Sequence, residues 1–220
     1  MYHFLYLRSI TTHQYLWAMH SSEPSLKRIR TEMSEGGPRS DNVDLDLVSL
    51  NKYSRQNATF GAETTAKLIK MKVIVFGLRG IGAETAKNLC LQGIGSITLV
   101  DMAPVSTQDL GLNFFFTRAD LGSPRARAFA PKLRDLNPTC DIKVAIEVDE
   151  NLISEHTALV VCNSEVKLSN LKHLDAVCRR VGTSFLHAFT GGLHSSIFVD
   201  HGDKHVVIDP SKFQKVSMLP

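Results

Sequence analysis

The feature that most constrains the fold of this chain is a glycine-rich loop that directly follows a short apolar run. The run covers residues 72–76 (Lys-Val-Ile-Val-Phe), and the loop covers residues 77–82 (Gly-Leu-Arg-Gly-Ile-Gly). An apolar run of this length is typical of a buried parallel strand. The loop opens a predicted helix over residues 83–92, and residues 96–101 predict the next strand. These segments predict the first βαβ unit of a nucleotide-binding α/β fold, with Asp101 about twenty positions after the glycines.

The spacing of the glycines departs from the G-x-G-x-x-G pattern. We expect Gly77 to make the tight turn and Gly82 to allow close packing of the helix on the strand, while Gly80 lies between them. The middle position of the pattern, where a bare backbone lets a pyrophosphate approach, is Arg79. The sequence therefore predicts a vestigial nucleotide site formed by Gly77, Gly80, Gly82 and Asp101.

The rest of the chain predicts helices that alternate with strands. Helices are expected over residues 56–70, 123–136 and 167–181, with Pro131 kinking or shortening the second of them. Strands are expected over residues 141–148, 158–162, 184–189, 195–199 and 206–208. This order predicts a Rossmann-like α/β fold: a mainly parallel sheet with right-handed crossovers, helices on both faces and an antiparallel extension at one side.

Composition divides residues 1–209 into two parts. Residues 1–44 are interpreted as a disordered or accessory segment, because residues 21–44 are polar and rich in Gly, Pro and Ser. Residues 1–22 are an accessory extension, a weak mitochondrial presequence or the product of a mis-set start, so that either Met1 or Met19 is the initiator. Residues 45–209 are expected to form the α/β domain. The basic residues 27–30 are either a nuclear address or a solvated patch.

Charge and cysteine usage exclude several classes of function. The formal net charge of +3 is too small to indicate nucleic-acid binding. The four cysteines have no C-x-x-C spacing and are interpreted as buried, reduced thiols, with no metal site expected. No window is apolar over the length that a membrane span requires.

Three motifs together resemble the ThiF-type enzymes that activate ubiquitin-like proteins. They are Tyr-Ser-Arg-Gln at residues 53–56, the glycine loop with its helix at residues 77–86, and Asp-Leu-Gly at residues 120–122. The resemblance covers residues 51–209 and is strongest to the amino-terminal, inactive adenylation half of ubiquitin-activating enzymes. It is nearly as strong to the small subunit of SUMO-activating heterodimers, notably through residues 136–138 (Leu-Asn-Pro).

The resemblance also implies which charged groups an active adenylation site would have. Asp101 keeps the ribose carboxylate, but Ala103 stands where a second carboxylate is expected, and Leu112 stands where an arginine is expected. Arg125 replaces a lysine, and the position of a magnesium-binding aspartate falls near Asn163 and Ser164. A leucine cannot bind a phosphate, so the resemblance implies that this half does not adenylate a substrate by itself.

The resemblance therefore implies a function that this chain performs only together with a partner. A catalytic adenylation half would bind ATP and Mg²⁺, and neither is expected on this chain alone. The complete ATP-dependent ligase would charge ubiquitin or a ubiquitin-like protein and pass it to a conjugating enzyme. Arg55 is expected to reach the ATP phosphates of the partner, as the family's Tyr-x-Arg-Gln arginine does, or else to pair with a carboxylate at a helix start. Residues 114–116 (Phe-Phe-Phe) are expected at the interface or, for two of them, in the core. The implied location is the cytoplasm and nucleus.

The sequence also allows two alternatives from other classes of enzyme. An NAD-dependent oxidoreductase would use Asp101 for the ribose, but Arg79 obstructs the pyrophosphate position, and His187 and His194 lie on predicted strands. A homodimeric sulfur-carrier adenylyltransferase would need the missing charged groups. The resemblance also implies that residues 210–220 begin a further, truncated domain. It leaves open whether the chain is a fragment, a truncated gene product or a separate subunit.

Overall fold

One six-stranded sheet organises residues 52–203, the part of the chain that this computed structural model describes. The predicted boundary at residue 44, the strand over 206–208 and the segment 210–220 lie outside the described residues. The strands are β1 (Lys72–Phe76), β2 (Ser96–Val100), β3 (Asp141–Ala145), β4 (Ala158–Val161), β5 (Ser184–Gly191) and β6 (His194–Asp200). The helices are α1 (Ser54–Phe60), α2 (Ala62–Lys70), α3 (Gly80–Gln92), α4 (Thr107–Leu112), α5 (Arg125–Leu136), α6 (Glu150–Ser154) and α7 (Leu168–Val181), with a 3₁₀ turn at Arg118–Asp120.

The sheet is parallel except at one edge. Its order is β3-β2-β1-β4-β5-β6, and β6 pairs antiparallel to β5 from Phe185↔Asp200 to Gly191↔His194. The other four pairings are parallel. The predicted fold class, a mainly parallel sheet with an antiparallel extension, is confirmed.

Alternating side chains of the strands fill two separate cores. Val73 and Val75 of β1 lie on the face that α3 and α5 cover, in the core that includes Phe129. Ile74 points to the opposite face and joins the core beneath α6 and α7. Because successive side chains of a strand point to opposite faces, a strand buried on both faces is apolar throughout. The helices on both faces of the sheet follow from this pattern.

The chain reverses its direction across the sheet between β1 and β4. From β1 it proceeds to β2 and β3 on one side, and then returns through α6 to place β4 on the other side of β1. In open α/β sheets, ligands bind outside the carboxyl ends of the strands at such a reversal. The glycine loop follows β1 at this point, so the fold positions the candidate site there.

Several predicted elements have different limits in the structure. The helix expected over 56–70 is two helices, because Gly61 has φ +85° and ψ 153°, which no helix continues. The strand expected over 141–148 ends at Ala145, α5 continues through Pro131, and α4 and α6 were not predicted. Within residues 52–203, no helix has the length and apolar composition to cross a bilayer.

Candidate functional site

The glycine loop packs against itself and against the segment that follows β4. Gly77 has φ +92°, and a Cβ added there would lie 2.7 Å from Cβ of Asn163. A Cβ added at Gly82 would lie 1.7 Å from the carbonyl oxygen of Gly77. The expected tight turn at Gly77 and the close packing at Gly82 are therefore confirmed, whereas at Gly80 the nearest atom to an added Cβ is the Leu112 carbonyl oxygen, at 3.4 Å.

Arg79 connects this loop to two other segments of the site. Its Nη1 lies 3.0 Å from Oε1 of Glu165, in the loop after β4, and its Nε lies 3.6 Å from Oδ1 of Asp109 in α4. The guanidinium is thus held by two carboxylates of the same chain. A phosphate at this position would have to compete with both.

Asp101, at the carboxyl end of β2, is buried and its carboxylate is bound by groups of its own chain. Oδ2 accepts a hydrogen bond from the main-chain amide of Leu78 at 2.8 Å, and Oδ1 accepts one from the amide of Ala103 at 3.1 Å. Nη1 of Arg125 lies 3.4 Å from Oδ1 and 3.5 Å from Oδ2. Asp101 thus lies at the carboxyl end of β2, where the sequence predicts a ribose carboxylate, and both of its oxygens have partners in its own chain.

Arg125 and Asp109 complete a buried ionic network beneath the loop. Nε of Arg125 donates to Oδ2 of Asp109 at 2.9 Å, and neither residue is more than 5% exposed. Ser106 donates to the same carboxylate from its amide and its hydroxyl, in a capping box that starts α4. Burial alone would raise the pKa of Asp109, but the hydrogen bonds from Ser106 and the Arg125 guanidinium hold this pKa below its ordinary value.

A cleft of about 960 Å³ lies at the carboxyl ends of the strands. Its ionisable lining residues are three carboxylates, Asp101, Glu147 and Glu165, together with Lys167 and His173. Apolar side chains form much of the rest, including Phe76, Val100, Met102, Ile146, Val148, Val166 and Leu174. A polyanion is disfavoured in a cleft whose carboxylates outnumber its cations.

Two of the residues that replace expected charged groups line this cleft. Ala103 and Asn163 line it, and the Oδ1 of Asn163 accepts a hydrogen bond from the amide of Glu165 at 3.0 Å. Leu112, at the end of α4, is 59% exposed, and no guanidinium occupies that position. These residues supply neither the phosphate-binding cation nor the metal-binding carboxylate that an ATP–Mg²⁺ site needs. ATP with Mg²⁺ therefore does not fit the residues at these positions.

Arg55 lies at the other end of the sheet from the cleft. It belongs to α1, which starts immediately after Tyr53. The ring of Tyr53 faces Gly93, which lies just before β2. The Tyr53 hydroxyl lies 3.5 Å from Oγ1 of Thr139, which lies just before β3. The Arg55 side chain is exposed and forms no hydrogen bond or ion pair with any residue in the range 52–203. The alternative of a carboxylate partner at the helix start thus has no support within that range.

The three consecutive phenylalanines have different environments. Phe116 is 5% exposed and Phe115 is half-buried, and their ring centroids lie 6.2 and 5.1 Å from that of Phe129. Phe114 is 69% exposed, with the Lys87 ammonium 5.7 Å from its ring centroid. Of the three rings, only that of Phe114 is largely exposed, and Phe116 belongs to the core.

Within residues 52–203, the cysteines and histidines form no cluster that could hold a metal ion. All four cysteines are buried and free. Burial raises the pKa of Cys162 to about 11 and that of Cys178 to about 12, so neither is a ready nucleophile at neutral pH. Burial lowers the pKa of His187 on β5, and His194 is exposed at the start of β6. The prediction of buried thiols is confirmed.

Two groups of contacts were not found from the sequence, one beneath the glycine loop and one at the opposite end of the sheet. Asp109 had a local signal, since a serine three residues before an acid is typical of a capping box, but its ion pair with Arg125 spans sixteen residues. The contacts of Lys52 and Tyr53 with the buried Asn137 span more than eighty residues and had no local signal.

Comparison with known proteins gives consistent matches. Residues 53–209 match the ThiF family. The chain is 35% identical over 187 residues to ubiquitin-activating enzyme E1 1 of Candida albicans, covering 81% of this chain and 18% of that protein. It is 33% identical over 172 residues to SUMO-activating enzyme subunit 1 of Rattus norvegicus, covering 76% of this chain and 48% of that protein. The chain thus spans less than a fifth of the first relative and about half of the second.

Solved structures with the same fold are more distant in sequence. Escherichia coli MccB with succinimide superposes with a TM-score of 0.62 at 19% identity, covering 70% of this chain and 50% of that chain. Escherichia coli tRNA N6-threonylcarbamoyladenosine dehydratase, TcdA, gives a TM-score of 0.57 at 22% identity, covering 66% and 62%. At these identities the likeness shows the fold alone.

Proposed function

The chain belongs to the ThiF family, and we propose that within it the chain is an adenylation half that does not form adenylates by itself but pairs with a catalytic homologous half. The relatives that it matches at 33–35% identity are enzymes and a subunit that activate ubiquitin or SUMO. The proposed reaction of the pair is the ATP-dependent activation of ubiquitin or a ubiquitin-like protein, followed by transfer to a conjugating enzyme.

The ion network among Asp101, Asp109 and Arg125 is the observation that carries the proposal. It occupies the carboxylate that a ribose would need and buries the basic group nearest to it. Removing these interactions to admit a nucleotide would leave buried charges without partners, which is strongly unfavourable. The same occupancy weakens the NAD-dependent alternative, because that alternative needs Asp101 for the ribose.

ATP and Mg²⁺ are accordingly assigned to the partner. The guanidinium of Arg55 is exposed and has no partner among residues 52–203, and it lies at the opposite end of the sheet from the cleft of its own chain; both observations support a contact in trans. A guanidinium remains charged and offers a planar pair of donors to phosphate oxygens. The ring of Phe114 is proposed to lie in the interface with the partner.

The proposal is tested by ATP–pyrophosphate exchange with ubiquitin and with SUMO as substrates. The purified full chain should show no exchange, little self-association, and no shift in melting temperature with NAD or with ATP and Mg²⁺. Mixed with a separately purified catalytic half of a ubiquitin-activating or SUMO-activating enzyme, it should form a one-to-one complex that restores exchange. Substrate-dependent exchange by the chain alone would overturn the proposal, and a melting shift with NAD alone would favour the oxidoreductase.

The choice between ubiquitin and SUMO follows from the same assay. The chain matches relatives of both kinds at similar identity. The catalytic half that binds it, and the modifier for which the complex then catalyses exchange, identify the pathway directly.

A further inference from the structure

Helix α1, which carries Arg55, has little to hold it in place by itself. It consists of seven residues, Ser54–Phe60, and none of them is buried. A helix this short is unstable in isolation, because nucleation costs more than its few hydrogen bonds return. The position of α1 must therefore depend on contacts made next to it.

Tyr53, immediately before α1, makes such a contact. Its side chain is 7% exposed, and its ring lies so close to Gly93 that a Cβ added there would be 2.6 Å from Cζ. Gly93 ends α3 with φ +84°, so this position favours glycine for its backbone as well as for the ring. The tyrosine ring thus packs directly against the backbone at the end of α3.

Asn137 forms the polar side of the same anchor. It is 2% exposed, and its Nδ2 donates to the carbonyl oxygen of Cys90 at 2.7 Å and lies 3.5 Å from the Tyr53 hydroxyl. Its Oδ1 accepts hydrogen bonds from Oγ1 of Thr139 at 2.7 Å and from Nζ of Lys52 at 2.5 Å. A buried side chain with this many partners has one defined orientation. It links the end of α3, the segment before β3 and the residues that precede α1.

The residues on both sides of Arg55 in the sequence make contacts with the end of α3. Tyr53 lies two residues before it, and Gln56, the next residue, donates from Nε2 to the carbonyl oxygen of Gln92 at 3.2 Å. The backbone around Arg55 is therefore fixed to the end of α3, whereas the guanidinium itself extends into solvent without a partner among residues 52–203. An exposed arginine on a fixed base is suited to a ligand outside its own chain.

We propose that Tyr53 is a positioning residue for Arg55: by seating its ring on Gly93 and its hydroxyl beside Asn137 and Thr139, it orders α1 and sets the point from which the guanidinium reaches the ATP of the partner. The inference rests on the proposed function of Arg55 in trans. A displacement of about 1 Å in such a group costs on the order of a hundredfold in rate, so the anchor matters even though it touches no substrate.

The first test measures amide hydrogen exchange in the isolated full chain. Tyr53→Ala should remove the protection of the amides in α1, whereas Tyr53→Phe, which keeps the ring, should retain most of it. Lys67→Ala, which removes only the exposed ion pair with Glu63 in α2, is the control and should change nothing in α1. If the amides of α1 remain equally protected in Tyr53→Ala, the positioning role of Tyr53 is overturned, while the proposed contact of Arg55 in trans is unaffected. If Tyr53→Ala does not fold, Tyr53→Leu replaces it.

The second test is a double-mutant cycle on pyrophosphate exchange by the assembled enzyme. Tyr53→Ala should slow exchange roughly tenfold or more, Tyr53→Phe should stay within about threefold, and Tyr53→Ala with Arg55→Ala should be no slower than Arg55→Ala alone. Additive losses, or a normal rate in Tyr53→Ala when Arg55→Ala is slow, would overturn the positioning role and leave Arg55 in place. A normal rate in Arg55→Ala would instead refute the contact in trans, and with it the role of Tyr53.

Discussion

Nε of Arg125 lies 2.9 Å from Oδ2 of Asp109, and both side chains are buried under the glycine loop. Arg125 also approaches Asp101, the residue at the position of a ribose carboxylate. The acidic and basic groups beneath the glycine loop are thus bound to one another within this chain.

The first prediction concerns the stability of this network. Asp109→Asn should lower the free energy of unfolding at pH 7 by about 3 kcal/mol, because it leaves the buried Arg125 guanidinium with a weaker partner. Asp135→Asn, which changes an exposed aspartate in α5, is the control and should change it by less than about 0.5 kcal/mol. Urea unfolding at pH 7 measures both.

The pH dependence of the same variants gives the second prediction. The pKa of Asp109 in the folded chain lies below its ordinary value of 3.8. Its stabilising contribution is therefore present above about pH 4 and is lost as the pH falls through the folded-state pKa. The pKa values of Asp120 and Asp200 are lowered too, so the native chain loses stability in acid through all three groups. Asp109→Asn should lose less than the native chain between pH 5 and pH 3, and an equal loss would contradict the assignment.

The third prediction concerns Arg55 in the reconstituted enzyme. Arg55→Ala should slow adenylate formation by a factor of tens to several hundred, because a charge-assisted phosphate contact in a shielded site contributes roughly 2–4 kcal/mol to the transition state. Arg55→Lys should recover only part of the rate, since an ammonium restores the charge without the paired donors. Assembly should be unchanged in both.

Melting temperature and exchange rate, measured on the same preparations, separate this role from a structural one. Arg127→Ala removes another exposed arginine, on α5, and should leave both quantities unchanged. A lowered melting temperature with a normal rate per folded dimer would remove Arg55 from the active site.

The fourth prediction distinguishes two neighbouring phenylalanines. Phe114→Glu should leave the isolated chain folded, because the ring is exposed, but should weaken association with the catalytic half at least about tenfold. Phe116→Ala should instead destabilise the isolated chain by about 3–5 kcal/mol, because it creates a cavity beside Phe129. Ile146→Glu, at an equally exposed apolar position on the rim of the cleft, is the control for Phe114. Calorimetric titration of the partner and urea unfolding provide the two measurements, and unchanged affinity in Phe114→Glu would place the interface elsewhere.

The fifth prediction concerns the glycine loop. Gly82→Ala should destabilise the chain by more than about 3 kcal/mol, because its Cβ would overlap the carbonyl oxygen of Gly77. Gly111→Ala is a matched control, since Gly111 lies in α4 with no atom within 4 Å of an added Cβ. This control should be neutral or stabilising by up to about 1 kcal/mol. Thermal unfolding of both variants checks the contrast.

The sequence by itself determined the sheet and the place of the candidate site. The run at residues 72–76, the turn at Gly77 and the close packing at Gly82 are local signals, because strand burial and positive φ depend on neighbouring residues. They were sufficient to predict a mainly parallel sheet with a loop at the carboxyl end of β1. The absence of an arginine at Leu112 and of a carboxylate at Ala103 was also visible without coordinates.

Only the tertiary structure decided how the remaining groups are used. The partners of Asp101 lie twenty-three and twenty-four residues away at Leu78 and Arg125, and the anchor of α1 joins Lys52 and Tyr53 to Asn137 across more than eighty. Such contacts arise when strands and helices distant in sequence are packed together, so no periodicity records them. For the same reason, three identical phenylalanines in a row became one exposed ring, one half-buried ring and one core residue.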